Sequence, residues 1–212
     1  DGYWGRIHGD AQGLPSDENK ITTWGTYPIG GKFDNDSFTA VGATSGMQGA
    51  GIQPVMLSSY AYFMRAEAAL ELGTNDSDVE MLEEGMRASF SKVVNFDVTT
   101  LDDSLAASAT DIDDYVADVL AAYSTATAEE KLNIIMTQAF IASWGNGVEP
   151  YNNYRRTGMP LNIQPTQSSA PGAFIRSFKY PSVAIDNNTN INSKPNQAVK
   201  VFWDLNSANL DF

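Results

Sequence analysis

The chain has 212 residues, 42% of them hydrophobic, enough to bury a sizeable core in one domain or two small ones. Its 13 Lys and Arg stand against 26 Asp and Glu, a net charge of −13, and such a surface repels phosphate backbones and anionic lipid headgroups. With no cysteine and a single histidine, His8, the chain has no disulfide framework, no thiolate chemistry and no His-based metal cluster. No serine sits in a G-x-S-x-G frame, and no apolar run approaches the ~20 residues of a membrane-spanning helix.

Residues 1–54 are rich in Gly, Ser, Asn and aromatic side chains and show little apolar periodicity. They read as irregular, with a short strand pair around residues 22–27 and 37–41. So long a loop inside a compact domain points to a functional loop, or to a layer packed on something else. Its stretch Gly42-Ala43-Thr44-Ser45-Gly46 lacks the Gly-Lys-Ser/Thr of a phosphate-binding loop. The opening residues Asp1-Gly2-Tyr3-Trp4-Gly5-Arg6 read as mid-protein loop, so the chain is expected to have lost an N-terminal part.

From Val55 the pattern turns helical. Leu57, Tyr60, Ala61, Met64, Ala68 and Leu72 recur at three- and four-residue steps, and Gly73 follows as a stop. A second helix opens near Ser77, with Asn75, Asp76 or Ser77 as cap, and carries Val79, Leu82, Met86, Phe90 and Val93 on one face. The pair predicts an antiparallel hairpin, and the small alanines of residues 64–73 give it a tetratricopeptide character. A third helix is expected over residues 112–123, capped by Thr110 or Asp111. Thr127-x-x-Glu130 is a capping box for a fourth, through Trp144, with Leu132, Ile135, Met136, Ala139, Phe140 and Ser143 facing the core. Gly145-Asn146-Gly147 ends it. Residues 157–212 hold five prolines (160, 165, 171, 181 and 195) and read as extended and irregular. The expectation is a mainly α fold of helical hairpins with tetratricopeptide-like packing, flanked by long loop-rich segments. One domain is predicted, in three stretches: 1–54 loop-rich, 55–156 helical and 157–212 closing.

Glu149-Pro150-Tyr151-Asn152-Asn153-Tyr154-Arg155-Arg156-Thr157-Gly158-Met159-Pro160 is the most distinctive stretch. With the helix before it, this segment resembles the SusD/RagB family, in its SusD-like branch of starch-binding outer-membrane lipoproteins. Ala61-Tyr62-Phe63-Met64-Arg65-Ala66-Glu67-Ala68, Glu84-Gly85-Met86-Arg87-Ala88-Ser89, Arg176-x-x-Lys179-Tyr180-Pro181-Ser182 and Phe202-Trp203-Asp204 follow in the family's order. The resemblance covers most of residues 55–212, the C-terminal portion of a protein more than twice this length. It implies a lipid-anchored outer-membrane protein of Bacteroidetes at the cell surface, its anchor outside this chain. It also implies glycan capture without cleavage, over a TonB-dependent transporter that takes the oligosaccharide.

The resemblance carries no binding residue with it, so the candidates rest on chemistry. A pyranose stacks its C–H face on Trp or Tyr, while its hydroxyls pair with polar side chains. Residues 1–54 supply Tyr3, Trp4, Trp24 and Tyr27 among such neighbours, including Arg6 and Asn35. The alternative is that these rings anchor a long loop to the helices. Trp203 is expected in the core. Arg155 and Arg156 can form a fork for carboxylate or phosphate. Alternatively they are structural, one pairing with Glu149, Glu67 or Asp204 and the other facing water. The acidic pairs Glu83-Glu84, Asp102-Asp103, Asp113-Asp114 and Glu129-Glu130 lie at helix starts or on polar faces, where the dipole favours them, rather than as a catalytic pair. No cofactor is expected. Ca²⁺ would find oxygen ligands at Asp34-Asn35-Asp36 or Asp186-Asn187-Asn188, which otherwise read as surface turns. A protein-docking helical module without a sugar site is the competing reading. If helices 55–95 pack on absent ones, the chain would expose apolar surface and associate.

Overall fold

The computed structural model describes residues 53–96, 107–170, 172–204 and 206. Among them run six helices, and no strand. They are α1 (Ser58–Leu72), α2 (Asp78–Val94), α3 (Ala109–Thr125), α4 (Ala128–Ala142), α5 (Val148–Thr157) and α6 (Ser182–Asp186). The chain divides into two compact units, with the boundary between Pro150 and Tyr151. The mainly α expectation holds, with the short α6 inside the closing segment.

In the first unit several helix ends have a local cause. Gly73 adopts φ 64° and its N–H donates to the Ala69 carbonyl, which ends α1 in the left-handed turn that favours glycine. Ser77 caps α2 by accepting from the Glu80 N–H, and Asp78 and Glu80 lie where the helix dipole favours acids. Thr127 and Glu130 form the expected reciprocal capping box of α4. The α3 start differs from expectation. Its cap is Ser108, and Asp111 stands three residues inside, its carboxylate accepting from the Ser108 N–H and hydroxyl. An aspartate three residues after a serine closes the same box as a glutamate, and this lengthens the helix to Ala109.

α1 packs on α2 and α4, and α2 also packs on α3. The α1–α2 approach is set by Gly85, where an added Cβ would stand 2.7 Å from Phe63 Cε1. Phe63, Ala66, Leu82, Met86, Val116, Tyr123, Ile135 and Met136 are buried. The α1 inner face is therefore Tyr60, Phe63 and Ala66, rotated from the stripe read in the sequence. Met64 and Leu72 are exposed, as is Phe140 of α4. In a helix rich in alanine and aromatic residues, several stripes have similar apolar character, and only the neighbouring helices choose among them.

α5 is a further helix, beyond the Gly145-Asn146-Gly147 stop. Asn146 starts it, its side-chain oxygen accepting from the N–H groups of Val148 and Glu149. Pro150 falls in the first turn, where its missing N–H costs nothing. Arg155 and Arg156 occupy the last turn, the end the dipole favours for cations.

Candidate functional site

The second unit is organised around two buried arginines. From α5, Tyr151 and Tyr154 set their rings against Phe174, at centroid distances of 5.8 and 5.3 Å. The Tyr151 hydroxyl donates to the Ile175 carbonyl. These contacts hold segment 174–176 beside the helix and bring Arg155 to it. Arg155 is only 8% exposed. Its Nη1 donates to the Arg176 carbonyl at 2.6 Å and its Nη2 to Asn152 Oδ1 at 2.7 Å. Its guanidinium lies over two rings, 4.3 Å from the Tyr151 centroid and 4.6 Å from that of Trp203. A buried cation is thus met by two π faces, a carbonyl and an amide. Its Nε, between those groups, has no hydrogen-bond partner.

The second arginine carries the ion pair. Arg176 Nε donates to Asp204 Oδ2 at 2.6 Å, and its Nη2 bonds Asp204 Oδ1 and, at 2.8 Å, the Asn206 carbonyl. Both side chains are buried. The Arg176 hydrogen bonds hold the Asp204 carboxyl below the usual carboxylate range, against the opposing effect of desolvation. A two-pronged pair of this kind fixes orientation as well as charge.

One of the partners expected for the arginine pair, Asp204, is taken elsewhere. Arg155 does not take Asp204, because Arg176 occupies that carboxylate on both oxygens. Arg156 is exposed and reaches Asn153 Oδ1 at 3.2 Å. Glu149 is half-buried in the first turn of α5, its N–H bound by Asn146. Arg155 is turned inward and bonded within the fold, and Arg156 lies on the surface with Asn153 among its partners. The sequence singled out Arg176 only as part of a family-like segment. Its pairing with Asp204, 28 residues away, leaves no local signal.

Trp203 is a second correction. It was expected in the core and is 36% exposed, with Phe202 beside it 95% exposed. The buried member of Phe202-Trp203-Asp204 is the aspartate, since it alone completes a charge pair. The glycan candidates Tyr3, Trp4, Arg6, Trp24, Tyr27 and Asn35 lie outside the described residues, as does Asp34-Asn35-Asp36. Asn187 and Asn188 spend their side chains on local backbone, on the Val183 carbonyl and the Asn190 N–H. Among the described residues, no group of three or more His, Cys, Asp or Glu could hold a metal ion.

Residues 32–205 match the family model for SusD-like proteins, described as SusD and RagB outer membrane lipoproteins. The chain belongs to the SusD-like family. Among solved structures, this SusD-like chain is similar to a chitin-binding protein at 25% identity and a TM-score of 0.53, covering 70% of this chain and 33% of that one. It is also similar to a SusD-like protein designated Bacteroidetes AC2a, at 27% identity and a TM-score of 0.44, over 53% of this chain and 21% of that one. A SusD homolog from Bacteroides fragilis matches at 22% identity and a TM-score of 0.48, over 62% of this chain and 29% of that one. The chain thus spans a third or less of the length of these solved relatives. The search of curated proteins found no match. Family membership accounts for the order of the motifs: the Tyr-Arg-Arg-Thr-Gly-x-Pro stretch supplies the buried Arg155, and the Phe-Trp-Asp stretch supplies the carboxylate that Arg176 takes.

Proposed function

We propose that this chain serves non-catalytic capture of oligosaccharide at the outer membrane and its delivery to a TonB-dependent transporter. The observation that carries the reading is the family match over residues 32–205 to outer membrane lipoproteins. The likeness to a chitin-binding protein supports a glycan as the ligand and makes chitin oligomers a first probe. Capture would use stacking on aromatic rings plus a fringe of hydrogen bonds, with Trp4, Trp24, Tyr3 and Tyr27 as rings and Arg6 and Asn35 as polar partners. Affinity must permit release, and micromolar to millimolar dissociation constants correspond to roughly 8 to 4 kcal/mol.

The test titrates tryptophan fluorescence with oligomers of chitin, starch, xylan and pectin, and follows each sugar by chromatography for cleavage. Saturable binding with intact sugar is expected, weakened when Trp4 and Trp24 are both replaced by Ala. Release of shorter sugars would overturn the non-catalytic reading. An absence of binding across the panel would remove the sugar site from this chain.

A protein-docking role has one observation in its favour. Phe140, Ile141 and Trp144 are all exposed at the end of α4, the kind of apolar surface that marks a contact. Retained glycan binding after Phe140→Asp and Ile141→Asp, with loss of transporter association, would assign that end of α4 to the partner.

A further inference from the structure

Phe202 and Trp203 break a local rule. The Asp204 N–H donates to the Val201 carbonyl at 3.1 Å, closing a tight turn with these two residues at its centre. Such positions favour Gly, Asn, Asp, Ser or Pro. Here they hold two large rings, one of them 95% exposed. No burial of Phe202 compensates for the choice. Local rules broken without a packing gain are characteristic of functional sites.

The turn is also held rigidly. On its C-terminal side Asp204 is locked by both prongs of Arg176. On its N-terminal side the strap is fastened at two points. The Gln197 carbonyl accepts from the Arg176 and Ser177 N–H groups at 2.9 and 3.0 Å, and the Ser177 hydroxyl donates to the Val199 carbonyl. Arg155 lies over the Trp203 ring, which fixes the indole while leaving part of it in solvent. An exposed ring on a fixed turn can be stacked upon without the entropy loss of ordering a loop. Exposed amide side chains, Asn196 and Gln197, lie on the same strap.

We infer that the Phe202–Trp203 turn is a sugar-stacking contact, taking the apolar C–H face of a pyranose in an oligosaccharide. Phe202 is the ring that stacks, and Trp203 is the positioning residue that Arg155 holds in place. The inference rests on the glycan-capture reading and places a contact of that capture outside residues 1–54. A glycan fits better than a flat protein surface because the feature is two rings on a narrow turn, rather than a broad apolar face.

Isothermal titration of the whole chain with chitohexaose, maltohexaose and xylohexaose tests it, comparing wild type with Phe202→Ala and Phe202→Tyr. A nearly fully exposed side chain can be changed without disturbing the fold, and circular dichroism checks this. The expected result is that the sugar bound by wild type binds about tenfold more weakly to Phe202→Ala, the scale of losing one aromatic contact. Phe202→Tyr, which keeps a ring, is expected to restore affinity. Equal affinity of wild type and Phe202→Ala would overturn the inference while leaving glycan capture standing. Wild type binding none of the three sugars, nor a pectin oligomer titrated in the same way, would overturn both.

Discussion

Asp204→Asn is the sharpest test of how the second unit is built. The substitution keeps the shape of the side chain and removes its charge. Arg176 is then left 6% exposed with no carboxylate opposite it. Its guanidinium would retain the Asn206 carbonyl at 2.8 Å and an amide oxygen from the new residue, but both prongs of the charge-assisted pair would be lost. Removing one partner of a buried pair costs about 3–5 kcal/mol, chiefly because the remaining charge stays desolvated. For a chain of this size, 1 kcal/mol corresponds to a shift of about 2–4 °C in Tm, so the fall should be on the order of 10 °C. Thermal unfolding followed by near-ultraviolet circular dichroism would measure it, since Trp203 adjoins the pair. The double variant Arg176→Met, Asp204→Leu removes both charges and should recover much of the loss. A fall of under about 1 kcal/mol in Asp204→Asn would refute the reasoning, placing the pair among solvent-screened surface bridges instead.

Two further predictions concern acid and packing. The Asp204 carboxyl is held below its unfolded value of about 3.9, so its contribution is fully present above that pH and is lost as pH falls through the folded value. Urea midpoints measured down the acid range should therefore fall below about pH 4, and Asp204→Asn should flatten that limb; equal slopes would contradict the assignment. Gly85→Ala should destabilise despite alanine's helix preference of about 1 kcal/mol, because the new methyl meets three atoms of the buried Phe63 ring at 2.7 to 2.9 Å and overpacking costs about 1–3 kcal/mol. Adding Phe63→Leu should reduce that penalty, as a double-mutant cycle in denaturant would show, whereas a rise in stability from Gly85→Ala alone would mean that the ring moves aside.

The sequence determined helices α1 to α4 and several of their ends. These are local matters: Gly73 supplies a left-handed turn, Ser77 an oxygen for Glu80, and Thr127 and Glu130 a reciprocal box, each within four residues of its partner. Motif order was legible too, because it is a property of the chain read end to end. Tertiary structure decided which apolar stripe of α1 turns inward, since Tyr60, Phe63 and Ala66 compete with Met64 and Leu72 on nearly equal terms until α2 and α4 are in place. It also decided which arginine takes the carboxylate. Arg155, Arg156 and Arg176 are alike in sequence, and the choice of Arg176 depends on a strap closing over 28 residues. That closure buries Asp204 and leaves Phe202 and Trp203 outside, which reverses the order hydrophobicity alone would assign.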